Sequence, residues 1–255
     1  MKMTLIPLEK AVSDGPIDAF SHALLTDAPT LDEVRACLAS LRADDARHRY
    51  LCTLDDAGQC RYTSMHASDD ARIALYDDEE PATPVDALLA RERVLVHVVS
   101  QLEHSAHRLE WTALAGTLVC NDEDIETLVA ANAAPGSLVD DVVCVQQVPV
   151  DRDDLLIAAL PNGYFSADWG IFQNHALIRH LQQRHGYHLF GLGASWLGFQ
   201  RSSAPTPAEA SALVEDLRKA YAAGAEDTWT RLAQTLATRT TLLLGYSEDF
   251  SARFR

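Results

Sequence analysis

The sequence predicts an α+β fold: a mixed or mostly antiparallel sheet flanked by helices. Three observations carry this. Segments with helical apolar periodicity and recognisable caps recur along the chain. Short apolar runs bounded by turn residues lie between them. The two kinds of segment do not follow the regular β–α order of a parallel α/β protein. With 255 residues, 47% hydrophobic and 23% charged, the chain is long and apolar enough to bury a sizeable core.

From the N-terminus, residues 16–26 and 31–43 read as two short helices. In the second, Thr30 is the N-cap, Glu33 stands at N3, and Leu31, Val34, Leu38 and Leu41 share one face. Residues 48–64 read as a hairpin turning at Asp55-Asp56-Ala57-Gly58. Tyr50, Cys52, Leu54, Cys60 and Tyr62 lie on one side of it, and Arg49, Thr53, Arg61 and Thr63 on the other. The acidic and proline-rich run 77–84 reads as a linker. It divides a helix–helix–hairpin subdomain, 1–80, from a larger α+β domain, 81–255.

Thr83, Pro84 and Asp86 start a long helix expected to reach about Leu109. A strand over 112–120 and a helix over 122–132, capped by Asn121 or Asp122, follow. Val142–Val150 reads as a strand, and Leu155–Leu160 is an apolar run ended by Pro161-Asn162-Gly163. A helix over 169–184 closes at Gly186. Residues 187–200 read as one strand or a tight hairpin, and 206–223 and 226–239 as two final helices.

The charge narrows the function classes. There are 37 acids against 21 Lys and Arg, a net −16. Such a chain lacks the positive field that nucleic acid or an anionic membrane surface requires. No run approaches the roughly 18 apolar residues of a membrane helix, nor does the N-terminus carry a signal-peptide core. Five cysteines, an odd number without dense spacing, suggest free thiols in a reducing cytoplasm. Lysine occurs only at 2, 10 and 219, and the Arg-, Ala- and Asp-rich composition suits GC-rich bacterial coding.

That charge is unevenly spread. Residues 1–150 hold 26 acids and 11 bases, whereas 151–255 hold 11 and 10. Between Asp168 and Glu209 there is no acid, but Arg179, Arg184, Arg201 and the histidines 175, 180, 185 and 188 fall there. The stretch 164–199 holds eight of the 18 aromatic residues.

No established catalytic motif emerges. Cys52 and Cys60, separated by seven residues, lack the second ligand pair of a zinc site and read as buried thiols under Tyr50 and Tyr62. His104 and His107 lie three apart on the long helix, without the matching Glu-x-x-His of a di-metal bundle, and read as a solvated face. His175 and His180, about 140° apart around a helix, do not converge. A metal there needs ligands from elsewhere, so neither a metal nor a cofactor is expected. Gly191-Leu192-Gly193-Ala194-Ser195-Trp196 has an aromatic where a dinucleotide loop needs glycine. As a nucleophile elbow it fails because no histidine follows Ser195. The paired acids, 153–154 among them, read as caps, turns or solvated faces.

Two functional readings follow. The first is a binding module, inhibitor- or immunity-like, whose acidic part docks a basic protein partner. The second places a small-molecule site, in a binding protein or an enzyme, within 161–201, for an anionic or aromatic ligand. Its candidate residues are Tyr164, Asp168, His175, Arg179, His188, Ser195 and Arg201. Asp168 would act as a base or orient a histidine, and Arg179 or Arg201 would clamp a carboxylate or phosphate. No catalytic residue is assigned.

Overall fold

Seven strands form one mixed sheet in the order β1-β2-β4-β3-β5-β6-β7 in the computed structural model. It describes every residue except Pro16, 77–79 and Arg255. The strands are β1 (Lys2–Leu5), β2 (Ser21–Thr26), β3 (Arg49–Thr53), β4 (Val143–Val148), β5 (His188–Leu192), β6 (Trp196–Gln200) and β7 (Thr241–Gly245). Every neighbouring pair is antiparallel except β3 and β5. The helices are α1 (Leu8–Asp14), α2 (Leu31–Asp44), α3 (Ala57–Ala67), α4 (Pro84–Glu103), α5 (Asp122–Ala133), α6 (Ile171–His185), α7 (Pro207–Tyr221) and α8 (Glu226–Leu236). The fold class is α+β, as expected.

Local rules set most helix ends. Thr30 and Glu33 form a capping box on α2, and Thr206 and Glu209 do the same on α7. Thr83 accepts from the Asp86 N–H at the start of α4, and Asn121 caps α5. Gly186, at φ 68°, closes α6. Of the expected linker, residues 77–79 lie outside the described residues.

Other expectations change. Residues 21–26 form β2 rather than the end of a helix. Asp18 accepts from the Phe20 N–H and turns the chain into a strand whose Ser21, Ala23 and Leu25 are buried. That strand is held by remote partners, β1 and β4, which outweigh local helix propensity.

The hairpin over 48–64 is instead β3 followed by α3. Asp56, in a left-handed conformation, accepts from the Gln59 N–H and starts the helix. Cys52 on β3 and Cys60 on α3 are both buried, whereas Tyr62 is exposed and does not cover them. Helix α4 stops at Glu103, so His104 and His107 follow it in a turn instead of sharing its face. Only a 3-10 turn, Trp111–Leu114, stands where a strand over 112–120 was expected. The run 155–160 belongs to a buried 3-10 helix, Asp153–Ala159. Strands β1 and β7 have no counterpart among the expected elements.

Strand β4 pairs with β2 on one side and β3 on the other, so residues 1–80 and 81–255 contribute to the same sheet. All five residues of β7 are buried, as are four of the five in each of β3, β5 and β6. Helical and irregular segments therefore cover both faces of the inner sheet, which removes the polar alternation of a half-exposed strand. Among the described residues no helix is long and apolar enough to cross a membrane.

Candidate functional site

Strand β7 is antiparallel to β6, which is antiparallel to β5, and β5 is parallel to β3. β3, β5 and β7 thus run the same way and deliver their carboxyl ends to one edge of the sheet. Such an edge is where open sheets leave room for ligands. The segments that follow are Leu54–Asp56, Gly193–Ser195 and Tyr246–Asp249.

These three segments are laced together. Asp55 accepts from the Ser195 N–H through Oδ2 (3.1 Å), and its carbonyl accepts from the Ala194 N–H (2.9 Å). The Tyr246 N–H donates to the Ser195 carbonyl (2.9 Å). The Tyr246 hydroxyl lies 2.7 Å from the carbonyl of Gly193 and 2.9 Å from that of Ala194. Gly193 is required here, because a Cβ would overlap the Asp55 carboxylate and lie 2.7 Å from the Asp55 backbone nitrogen.

A cavity of about 300 Å³ opens on this edge, lined by Gln59, Thr63, Asp168, Ser195, Ser247, Glu248 and Asp249 among others. The buried Thr63 hydroxyl donates to the Asn162 side chain. Asp168 accepts from the Glu248 N–H through Oδ1 (2.8 Å). Burial, and secondarily the charge of Glu248, raises the Asp168 carboxyl above its usual range. Ser195 is 5% exposed and Ser247 9% exposed. Both serines line the cavity, and neither hydroxyl is among the buried side-chain atoms without a partner. Every charged residue of the lining is a carboxylate.

The seven expected site residues are dispersed. Asp168 and Ser195 share this cavity. Tyr164 is exposed and lines an adjoining hollow beyond Gly163, its ring 5.0 Å from that of His66. Arg179 is buried, with Nη2 3.4 Å from the Leu109 carbonyl. Arg201 lies over the Tyr187 ring at 5.5 Å, in another hollow with Arg184 and His185.

His175 and His188 are engaged by two acids that the sequence suggested were solvated. Asp153 and Asp154 are each 4% exposed. The Asp153 carboxylate is 2.8 Å from His188 Nδ1, 3.0 Å from Arg42 Nη1 and 3.2 Å from Arg49 Nε. Asp154 receives Arg152 through both nitrogens of its fork, at 3.1 and 3.2 Å, and lies 3.3 Å from His175 Nε2. Sequence neighbours thus serve two separate charge clusters, because the 3-10 backbone turns their side chains apart.

Gln59, Thr63, Ser247, Glu248 and Asp249 lie outside the segment 161–201 to which the sequence points. Ser247 to Asp249 follow β7, a strand whose apolar run Thr241–Gly245 and adjacent turn were the available signal. Gln59 and Thr63 needed α3 to be recognised. The one group of histidine and carboxylate ligands close enough to share an ion among the described residues lies outside the cavity, on α6 and α7.

Fold and cavity together define an α+β protein with a mixed sheet and a carboxylate-lined pocket at the carboxyl ends of three strands. Comparison with protein-family models, curated proteins and solved structures finds no match.

The Asp154 cluster has a measurable consequence. Burial raises the Asp154 carboxyl, but hydrogen bonds from His175 and Arg152 outweigh it and hold it down to about 2. A carboxyl lower in the folded than the unfolded chain stabilises at pH values above its unfolded pKa, and that contribution fades as pH falls from about 4 towards 2. Asp154→Asn is expected to cost about 2 kcal/mol at pH 7, less than for a fully buried pair because Arg152 is half exposed. Urea unfolding of both chains should show the difference narrowing at pH 3.

Proposed function

We propose that the chain binds a small organic cation, an amine or guanidinium compound carrying further hydrogen-bonding groups, in the cavity at the carboxyl ends of β3, β5 and β7. The observation that carries this reading is a pocket whose charged lining is entirely carboxylate, with Ser195 and Ser247 also at its wall. A few polar side chains at the wall of a cavity fix a ligand's orientation, and carboxylates among them favour a cation. Asp168 sets the sign of that ligand, with Glu248 and Asp249 at the more exposed rim. An anionic ligand would meet three carboxylates here, so the anion expected from the base-rich window 169–208 suits this cavity poorly. A volume near 300 Å³ lies at the small end for ligand pockets.

Titration calorimetry with agmatine and putrescine tests this reading. Binding of either is expected to weaken about tenfold in Asp168→Asn, equivalent to about 1.4 kcal/mol. The substitution keeps an oxygen for the Glu248 N–H and removes only the charge. Affinity should also fall as the pH is lowered through the raised Asp168 range, since protonation discharges the carboxylate. Binding of phosphate in place of the cations, or cation binding indifferent to Asp168→Asn, contradicts it.

The charge distribution supports a second reading, an acidic surface that docks a basic protein. The excess acid of residues 1–150 includes the exposed Asp27, Asp44, Asp86, Glu110 and Asp141. Capture from lysate of the native cell should then recover a basic protein at low salt and lose it as salt screens the charges. Recovery of none at low salt counts against it.

A further inference from the structure

Two imidazoles and one carboxylate meet between α6 and α7. His180 Nε2 and His185 Nε2 lie 2.8 and 3.0 Å from the same oxygen, Oδ2 of Asp216. Ligand atoms of the three residues fall within 4.8 Å of one another. Five positions along a helix put two side chains about 140° apart, so α6 alone does not bring these histidines together. They converge because His185 is the last residue of α6, just before the left-handed Gly186, and because α7 inserts Asp216 between them. The ring centroids are 5.5 Å apart.

We propose that His180, His185 and Asp216 form a site for a divalent transition-metal ion, zinc foremost, that clamps α6 to α7. Two imidazole nitrogens and a carboxylate oxygen are a ligand set for zinc, with water completing the tetrahedron. Across a tetrahedral zinc, with bonds of about 2.0–2.1 Å, ligand atoms are about 3.3 Å apart. The two nitrogens need to withdraw only a few tenths of an ångström from Asp216. Each imidazole then turns its Nε2 lone pair to the metal, and its proton resides on Nδ1.

The surroundings suit that role. Trp111 stacks flat on the His180 ring, 4.1 Å away and tilted by 5°, and fixes its plane. The side chains of His180 and Asp216 are 19% and 21% exposed, so an ion and its water have access. His185 also lines the hollow beside Arg184 and Arg201, which opens a second approach. Lys219 Nζ lies 3.8 Å from Oδ1 of Asp216, leaving Oδ2 to face the histidines.

The test is calorimetric titration of zinc chloride into the untagged, chelator-treated chain, with thermal unfolding alongside. One equivalent should bind and raise the unfolding temperature. Asp216→Asn and His185→Gln should each weaken binding by more than about tenfold, while His66→Gln, on α3, leaves it unchanged. Magnesium, a hard ion preferring oxygen ligands, should not compete. Should a variant fail to fold, Co2+ on the wild-type chain reads the site directly. Intense visible bands of a tetrahedral ion support it, and the weak spectrum of the aquo ion overturns it. Zinc binding that persists undiminished in both variants, or no zinc binding by the wild type, also overturns the proposal.

Discussion

The contact on which the candidate site depends is that of Asp55, through its carboxylate and its carbonyl, with the Ser195 and Ala194 N–H groups beside Gly193. Three strands running the same way would leave three loose ends at the sheet edge. Asp55 ties the end of β3 to that of β5, and Tyr246 ties β7 to the same three residues. Of these bonds, only that from the Ser195 N–H reaches a carboxylate; the others join backbone groups or the Tyr246 hydroxyl to carbonyls. They fit only because position 193 has no side chain. Gly163 follows the same logic on the far wall, where a Cβ would overlap the Trp169 carbonyl. The Trp169 N–H in turn donates to the Tyr246 carbonyl. The cavity is the space these constraints leave open.

Local chemistry was legible in the sequence, and remote chemistry was not. Thr30 with Glu33, Thr83 with Pro84, Asn121 and Gly186 mark helix ends within a few residues of themselves, and the structure has helix ends there. Strand β2 depends on β1 and β4, more than a hundred residues apart in the chain, so nothing local separates it from a helix. Asp55 and Asp56 carry a turn signal, but Asp56 caps α3 and Asp55 accepts from the Ser195 N–H. Strand β3 and its neighbours lack alternation because both faces are covered, which hid the point where strand gives way to helix. The site suffered accordingly. Asp168 and Ser195 were found because they flank glycine- and aromatic-rich segments, whereas Ser247 and Glu248 follow a strand that had not been expected.

Charge arithmetic proved informative at a finer scale than the chain total. The base-rich window 169–208 pointed to an anionic ligand. Four of its Arg and His side chains, however, point elsewhere: Arg179 to a backbone carbonyl, Arg201 to Tyr187, His175 and His188 to buried aspartates. The cavity takes its charge from just outside the window, from Asp168 before it and Glu248 and Asp249 after it. Counting charges along a segment finds where they are in sequence; burial and pairing decide which of them meet a ligand.

A crystal structure of the chain grown with saturating agmatine tests the central claim most directly. The account predicts density for the guanidinium or ammonium group beside Asp168, with the Ser195 and Ser247 hydroxyls within hydrogen-bond distance of the ligand. Agmatine bound at another place, or a cavity holding only water at saturation, would contradict it.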